Sequence, residues 1–208
     1  MSTEFTIEPD RAAIADAISL FEFVGGNTAD AIRVAINKSA PKIRTLASRA
    51  IRDQVRLTAS YVNERLTIRR ATRAALSGAI TTPSRGILLS RYATEPGIAA
   101  EGVSWIKPPP APYGGHYVKV KPTGAAVKVG RGDESKPFYM VLKGSHALAI
   151  VRRKKDGEIH VLNSPSLSQV FNSVRDDVMP AASAEYQAQL LDAMRYLLAK
   201  KSPPEPTE

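Results

Sequence analysis

The feature of this sequence that most constrains its fold is a change in the spacing of apolar residues. Between residues 28 and 56 apolar residues recur with the period of a helix, which predicts one long helix. Between residues 67 and 162 short segments alternate apolar and polar residues, as half-buried strands do, and after residue 166 the helical period returns. We therefore predict an α+β fold: N-terminal helices including a long basic helix, a central antiparallel β-sheet and C-terminal helices.

Proline and capping residues predict where the helices begin and break. Thr28 is expected to cap the long helix, and Thr58 a short third helix that reaches about Leu66. Pro41 removes one backbone hydrogen bond, so the long helix is expected to kink there or to divide into two abutting helices. Pro180 is expected to open the last helix.

The same pass along the chain predicts its division into domains. Residues 1–26 form an N-terminal strand–helix unit, and residues 27–200 form a single α+β domain. Within that domain residues 93–124 form a proline-rich loop. The polar, proline-rich tail at 201–208 is expected to be disordered.

Positive charge is concentrated in the first half of the chain. The net charge is +9, and residues 28–92 hold thirteen Lys and Arg against three acids. This balance favours an anionic partner, either nucleic acid or an acidic protein, although a solvated helix face is an equally good interpretation of the charge alone. Guanidinium groups bind phosphate and carboxylate in a fork. The candidate residues for binding a partner or the DNA backbone are therefore eight arginines: Arg44, Arg49, Arg52, Arg56, Arg65, Arg69, Arg70 and Arg73.

A second candidate surface is a stiff arm within the proline-rich loop. Consecutive prolines favour an extended, rigid backbone, which suits an arm that reaches a neighbouring chain better than a core element. The arm spans residues 105–117, and its candidate contact residues are Trp105, Pro108, Pro109, Pro110 and Tyr113.

Residue types that carry out catalysis are present without a pattern that would activate them. The chain has no cysteine, which excludes a thiol nucleophile and suits a reducing cytoplasm. No Gly-x-Ser-x-Gly or Gly-Lys-Ser motif occurs, and the histidines lie far apart: His116, His146 and His160. We expect no enzyme, cofactor or metal site, although a site assembled from distant residues stays possible. Residues 1–10 lack a signal-peptide pattern, and no apolar run approaches the length of a membrane span, so we expect a soluble chain.

A series of segments in order along residues 28–178 resembles the minor tail protein Z family of tailed phages. The segments are Ala31–Ala40, Val62–Ala71, Leu76–Ile80, Ala126–Val129 and Asn163–Phe171. The N-terminal unit, Phe5–Gly26, is instead similar to related neck proteins of other long-tailed phages.

The resemblance implies a structural role in the virion. Proteins of this family complete the tail at its head-proximal end, the neck, where it joins the head. It implies contacts with the tail terminator, the head–tail connector or the tail tube, a homo-oligomeric ring, and assembly in the host cytoplasm. The alternative is a DNA-binding protein without sequence specificity that uses the basic helix.

Overall fold

A computed structural model of the chain describes residues 3–7, 15–23, 27–99, 103–130 and 136–201. In these residues the α-helices are α1 (Ala15–Phe23), α2 (Thr28–Gln54), α3 (Ala59–Arg65) and α4 (Leu167–Lys201). The strands are β1 (Thr3–Ile7), β2 (Thr67–Arg69), β3 (Gly78–Thr82), β4 (Gly86–Leu88), β5 (Tyr117–Val118), β6 (Val127–Lys128), β7 (Phe138–Val141), β8 (Leu148–Arg153), β9 (Ile159–Val161) and β10 (Asn163–Ser166). The α+β class is confirmed, with a long helix before the strands and a helix after them. Across the described ranges, no helix is long and apolar enough to cross a membrane.

The strands form several small sheets in place of one central sheet. All pairs are antiparallel, and the described sheets have the orders β1-β3-β2, β10-β4, β5-β6 and β7-β8-β9. β5 and β6 have only two residues each, and the long connections between strands contain the prolines and glycines of residues 93–130. Such short strands cannot extend a continuous ladder of backbone hydrogen bonds, which explains the division.

The chain divides into two compact units. Unit 1 comprises Met1–Ala50, Asn63–Thr82 and Phe171–Glu208, and unit 2 comprises Ile51–Val62 and Pro83–Val170. The sheet β1-β3-β2 belongs to unit 1, and the other sheets belong to unit 2. The predicted tail lies outside the described residues from 202 onward, as do residues 8–14 and 24–26 of the predicted N-terminal unit.

The interior of unit 1 is built from aliphatic side chains on α2 and α4. On α2, Ile36 and Ile43 are fully buried, and the alanines between and beside them let neighbouring backbone approach closely. Gly78 shows how close that approach is, because a Cβ atom at this position would lie 2.5 Å from Cγ2 of Ile36. On α4, Leu190 and Ala193 are buried in the same unit.

Side chains cap the N-terminal ends of three helices. Tyr61 N–H donates to Oγ1 of Thr58 at 3.2 Å, which confirms the predicted cap of α3. The predicted cap of α2 is wrong by one residue: Asp30 N–H donates to Oδ1 of Asn27 at 3.2 Å, while the Thr28 hydroxyl donates to Glu22 at 2.8 Å.

α4 begins with a reciprocal cap. Gln169 N–H donates to Oγ of Ser166 at 3.2 Å, and Ser166 N–H donates to Oε1 of Gln169 at 2.9 Å. This arrangement satisfies two backbone donors that the first turn of a helix leaves without intrahelical partners.

Prolines lie inside both long helices without dividing them. Pro41 does not divide α2 into two helices and Pro180 does not open a new one, so the predicted division at Pro41 and the predicted start at Pro180 are wrong, while the kink predicted as the alternative at Pro41 stays a prediction. A proline inside a helix costs about 3 kcal/mol or more, whereas burying one Ile or Leu side chain contributes roughly 1.5–3 kcal/mol. Several buried apolar residues follow each proline, and their summed burial exceeds this cost: Ile43, Ala47 and Ile51 in α2, and Ala182, Tyr186 and Leu190 in α4.

In unit 2 a short 3-10 helix, η1 (Leu89–Tyr92), follows β4. The apolar residues of 86–92 predict a single strand over this range, but only Gly86–Leu88 forms one, so the second half of that prediction is wrong. The chain turns there because Ser90 Oγ donates to the backbone carbonyl of Leu148 at 2.6 Å and Tyr92 is fully buried.

Candidate interaction surfaces

The arginines predicted on the long helix differ in exposure. Arg49 is exposed, and Arg44 and Arg52 are half-buried. Nε of Arg52 is buried without a hydrogen-bond partner among the described residues. Arg56 follows the end of α2 with an exposed side chain, and its backbone N–H donates to Val120 at 2.7 Å. Of these four, only Arg49 and Arg56 present well-exposed guanidinium groups.

The other four predicted arginines lie on α3, on β2 and in the connection that follows. Arg65 ends α3 and lies 3.7 Å from the carboxylate of Glu64. Arg69 ends β2, and Arg70 and Arg73 follow it, all with exposed side chains. This group is more compact and more exposed than the arginines of α2.

Asn37 of α2 fixes the backbone of this arginine segment. Its side-chain amide donates to the carbonyl of Ala71 at 3.0 Å, and its side-chain carbonyl accepts the Ala71 N–H at 2.9 Å. Ala71 itself is buried, so the two arginines on either side of it, Arg70 and Arg73, project from a fixed backbone position.

Two charged residues at the start of α2 extend this surface. Nε and Nη2 of Arg33 each lie 3.2 Å from Oδ1 of Asp30, and Nε of Arg73 lies 3.6 Å from the same oxygen. We name the set Arg33, Arg70, Arg73 and Asp30 the arginine surface. The sequence did not indicate that Arg33 and Asp30 belong to this surface, or that Asn37 supports it. The one available signal was the three-residue spacing of Asp30 and Arg33, since Asn37 and Ala71 are 34 residues apart.

The predicted arm, residues 105–117, contains the largest exposed apolar side chains of unit 2. Ile106 is 97% exposed and Tyr113 is fully exposed. Pro108 and Pro110 are exposed, while Trp105 and Pro109 are half-buried.

The first end of the arm is held by a residue with an unusual backbone. Trp105 N–H donates to the carbonyl of His146 at 3.0 Å. His146 has φ of 50°, the left-handed region that non-glycine residues seldom adopt. That conformation lies in the turn between β7 and β8, where it fixes the direction of the carbonyl that Trp105 contacts.

The second end of the arm is held by a buried polar cluster of Glu95, His116 and Tyr139. His116 is 2% exposed, and its ring meets the Tyr139 ring edge-on with centroids 4.3 Å apart. Its backbone carbonyl accepts Val129 N–H at 2.9 Å. Neither the carboxylate oxygens of Glu95 nor the Tyr139 hydroxyl makes a well-formed hydrogen bond within the described residues.

Burial controls the protonation of this cluster. Burial lowers the pKa of His116, and the charge of Glu95 opposes part of that effect. Burial also raises the pKa of the Tyr139 phenol, and Glu95 adds to the rise. A neutral imidazole and a neutral phenol are therefore favoured beside the carboxyl group. His146 and His160, by contrast, are exposed.

The described residues contain no group of three His, Asp or Glu side chains arranged to hold a metal ion. Comparison of this chain with protein-family models, with curated proteins and with solved structures found no match.

Proposed function

We propose that this chain is a structural assembly protein of a bacteriophage tail, which acts at the neck in tail completion and head–tail joining. It works through protein–protein contacts and carries out no reaction. It is made in the host cytoplasm and becomes part of the virion. Its partners are the tail terminator, the head–tail connector or the tail tube, together with further copies of itself in a ring.

The observation that carries this proposal is the arm. Ile106 and Tyr113 expose their side chains to solvent on a stiff, proline-rich segment whose two ends are anchored in unit 2. Large apolar side chains held out from a surface favour contact with another protein, because that contact removes them from water. Burying both would contribute roughly 3–6 kcal/mol to an interface before the costs of association.

In the proposed assembly, different surfaces of the chain contact different partners. The arm contacts an adjacent ring, while α4 and the edges of the sheets contact neighbouring copies. The basic residues of α2 and of the segment after β2 face an acidic protein surface or the end of the DNA that enters the tail. The order of elements that resembles the minor tail protein Z family supports the same role.

The cluster of Glu95, His116 and Tyr139 is the nearest approach to a catalytic group in the described residues. Such a cluster is what an enzyme assembled from distant residues would need. The His116 side chain is buried, however, and its ring edge is covered by Tyr139. This burial favours a structural role for the cluster, as the anchor of the arm.

The test of the proposal is an early stop at the codon for Tyr61 in the phage that encodes the chain. Electron microscopy of the lysate is expected to show filled heads beside separate or unfinished tails. Infectious particles of normal appearance would refute the proposed role.

The arm is tested by complementing that stop mutant with plasmid copies of the gene. A variant carrying Ile106→Ser and Tyr113→Ser is expected to restore few joined particles, although its melting temperature stays within about 1 °C of the parent because neither side chain is buried. Ile159→Ser, which changes another exposed apolar residue of unit 2, serves as the matched control. Equal complementation by the control and the arm variant would remove the arm from the proposal.

The exposure of Arg49 and Arg69, outside the arginines that contact Asp30, favours a second candidate function, binding of the DNA backbone. Each phosphate contact releases counterions, so duplex affinity would fall steeply as salt rises. Fluorescence anisotropy with a labelled duplex measures that slope. A flat response to salt, or no binding at moderate salt, would exclude this candidate.

A further inference from the structure

We propose that the arginine surface of unit 1 is a binding site for an acidic segment of a partner protein, in which Asp30 competes with the partner for Arg73. This inference rests on the proposed function and deepens it, since it specifies the chemistry of one partner contact. It concerns Arg33, Arg70 and Arg73 of unit 1, whereas the arm belongs to unit 2.

The surface is preorganised on three sides. Asn37 holds Ala71 through two hydrogen bonds. On the side toward β2, Arg69 is in register with Ala79 of β3. On the other side, Thr72 and Ala75 close a turn, with Thr72 N–H donating to Ala75 at 2.9 Å and Ala75 N–H donating to the Thr72 hydroxyl at 3.1 Å. Arg70 and Arg73 therefore project from backbone that loses little further freedom when a partner binds.

Asp30 already occupies part of this surface as a carboxylate ligand. Its Oδ1 lies between the guanidinium groups of Arg33 and Arg73, and its Oδ2 accepts a hydrogen bond from Asn27 at 3.2 Å. The carboxylate is thus held at the start of α2 by Asn27 and Arg33. Arg73 is the weakly held member, because its side chain is 83% exposed and its nitrogen lies 3.6 Å from the oxygen.

Arg73 is consequently able to exchange one carboxylate for another. An exposed ion pair of this kind is worth little, so a partner carboxylate competes with Asp30 on nearly equal terms. A partner that presents several acidic side chains engages Arg70 at the same time, and Asp30 does not compete for that residue in the described contacts. The surface therefore selects a segment with closely spaced acids over a single acidic residue.

The same geometry disfavours the DNA backbone at this surface. Asp30 contributes a fixed negative charge within the basic group, and Glu64 places a second one beside Arg65. A duplex presents a continuous row of phosphates, which requires cations along its length without interspersed acids. A flexible acidic segment of a protein can instead position its carboxylates around Asp30.

The experiment measures binding of a fluorescein-labelled octaglutamate peptide to the full chain by fluorescence anisotropy at moderate salt. Asp30→Asn is expected to tighten binding about two- to fivefold, because Arg73 loses its internal partner. Arg73→Gln is expected to weaken binding by a similar factor. Arg195→Gln is the matched control, since Arg195 is another exposed arginine of unit 1 whose nitrogen lies 3.6 Å from an aspartate oxygen, and its effect is expected to stay below about twofold.

Three results would overturn the inference. Asp30→Asn that leaves the affinity unchanged would show that Asp30 does not compete. An equal loss in Arg195→Gln and Arg73→Gln would show that the peptide responds only to net charge. A labelled DNA duplex that binds more tightly than the peptide, with the same response to both changes, would assign the surface to nucleic acid.

Failure of this inference and failure of the proposed function give different results. If the arm variant fails to join heads and tails while Arg73→Gln joins them normally, the neck role stands and the arginine surface has no part in it. If the stop mutant gives normal particles, the neck role fails whatever the peptide measurements show.

Discussion

Unit 1 and unit 2 differ in the kind of polar group that each encloses. In the described part of unit 1 the buried polar side chains carry hydroxyl groups: Ser39, Ser48, Thr82 and Tyr186. Unit 2 encloses the imidazole of His116, the carboxylate oxygens of Glu95 and the phenols of Tyr92 and Tyr139. The hydroxyls of Ser39, Ser48 and Thr82 do not titrate and add no pH dependence to unit 1, whereas unit 2 depends on keeping the buried side chains of His116, Tyr92 and Tyr139 uncharged.

The largest expected effect concerns unit 1. Leu190→Ala removes a fully buried side chain of α4 and is expected to lower the free energy of unfolding by about 3 kcal/mol. The neighbouring Leu191 is 42% exposed, so Leu191→Ala is expected to cost less than about 0.5 kcal/mol. Urea unfolding followed by circular dichroism measures both. If the loss of unfolding free energy in Leu190→Ala differed strongly between neutral and mildly acidic pH, the contrast in pH dependence between the two units would be refuted.

The next effect concerns alkaline pH and unit 2. Burial raises the pKa of Tyr92 to about 12. The unfolded chain releases this proton near pH 10 and the folded chain does not, so stability is intact below pH 10 and falls as pH rises toward 12. Tyr92 contributes about 2 kcal/mol of this loss, which Tyr92→Phe removes, whereas the part due to the Tyr139 phenol, whose pKa burial also raises, persists in that variant. Tyr113→Phe alters a fully exposed phenol and is expected to keep the parental profile.

The smallest expected effect is a loss of stability at acidic pH, in unit 2. Because burial lowers the pKa of His116, the unfolded chain takes up this proton at a higher pH than the folded chain does. Stability is therefore present above about pH 6.5 and falls as pH decreases below it, toward the lowered pKa of the folded state. Glu95 limits the loss by favouring the protonated ring. Urea midpoints across this range are expected to fall in the parent and in His160→Gln, and to fall less in His116→Gln.

The sequence predicted the elements whose cause is local. The hydroxyl of Thr58 caps the helix that begins one residue later, and the segment 147–152, whose apolar residues predict a strand, forms most of β8. Both depend on residues that are neighbours along the chain, so spacing alone reveals them.

The predicted division at Pro41 and the predicted helix start at Pro180 failed because burial outside the local sequence decided the outcome. Local sequence shows the hydrogen bond that Pro41 removes, but it does not show that Ile43 is fully buried by the rest of unit 1. Thr28 failed as the cap of α2 for a related reason, since its hydroxyl contacts Glu22 in the preceding helix.

The candidate sites were predicted in part. The composition of the sequence indicated the exposed arginines and the proline-rich arm. It did not show that Arg52 is half-buried, with its Nε atom inaccessible to solvent. The bonds from Asn37 to Ala71 and the meeting of Glu95, His116 and Tyr139 join residues that are distant in the chain. A single sequence contains no periodic signal for such contacts.

The prolines inside α2 and α4 have a mechanical consequence. Pro41 and Pro180 have no amide proton, so neither donates a hydrogen bond to the carbonyl four residues before it, in Asn37 and Asp176. Bending at these positions breaks no further backbone hydrogen bond, whereas bending elsewhere along either helix would. Each long helix therefore has one compliant joint, and curvature imposed on it is absorbed at that joint while the turns on either side keep their stiffness.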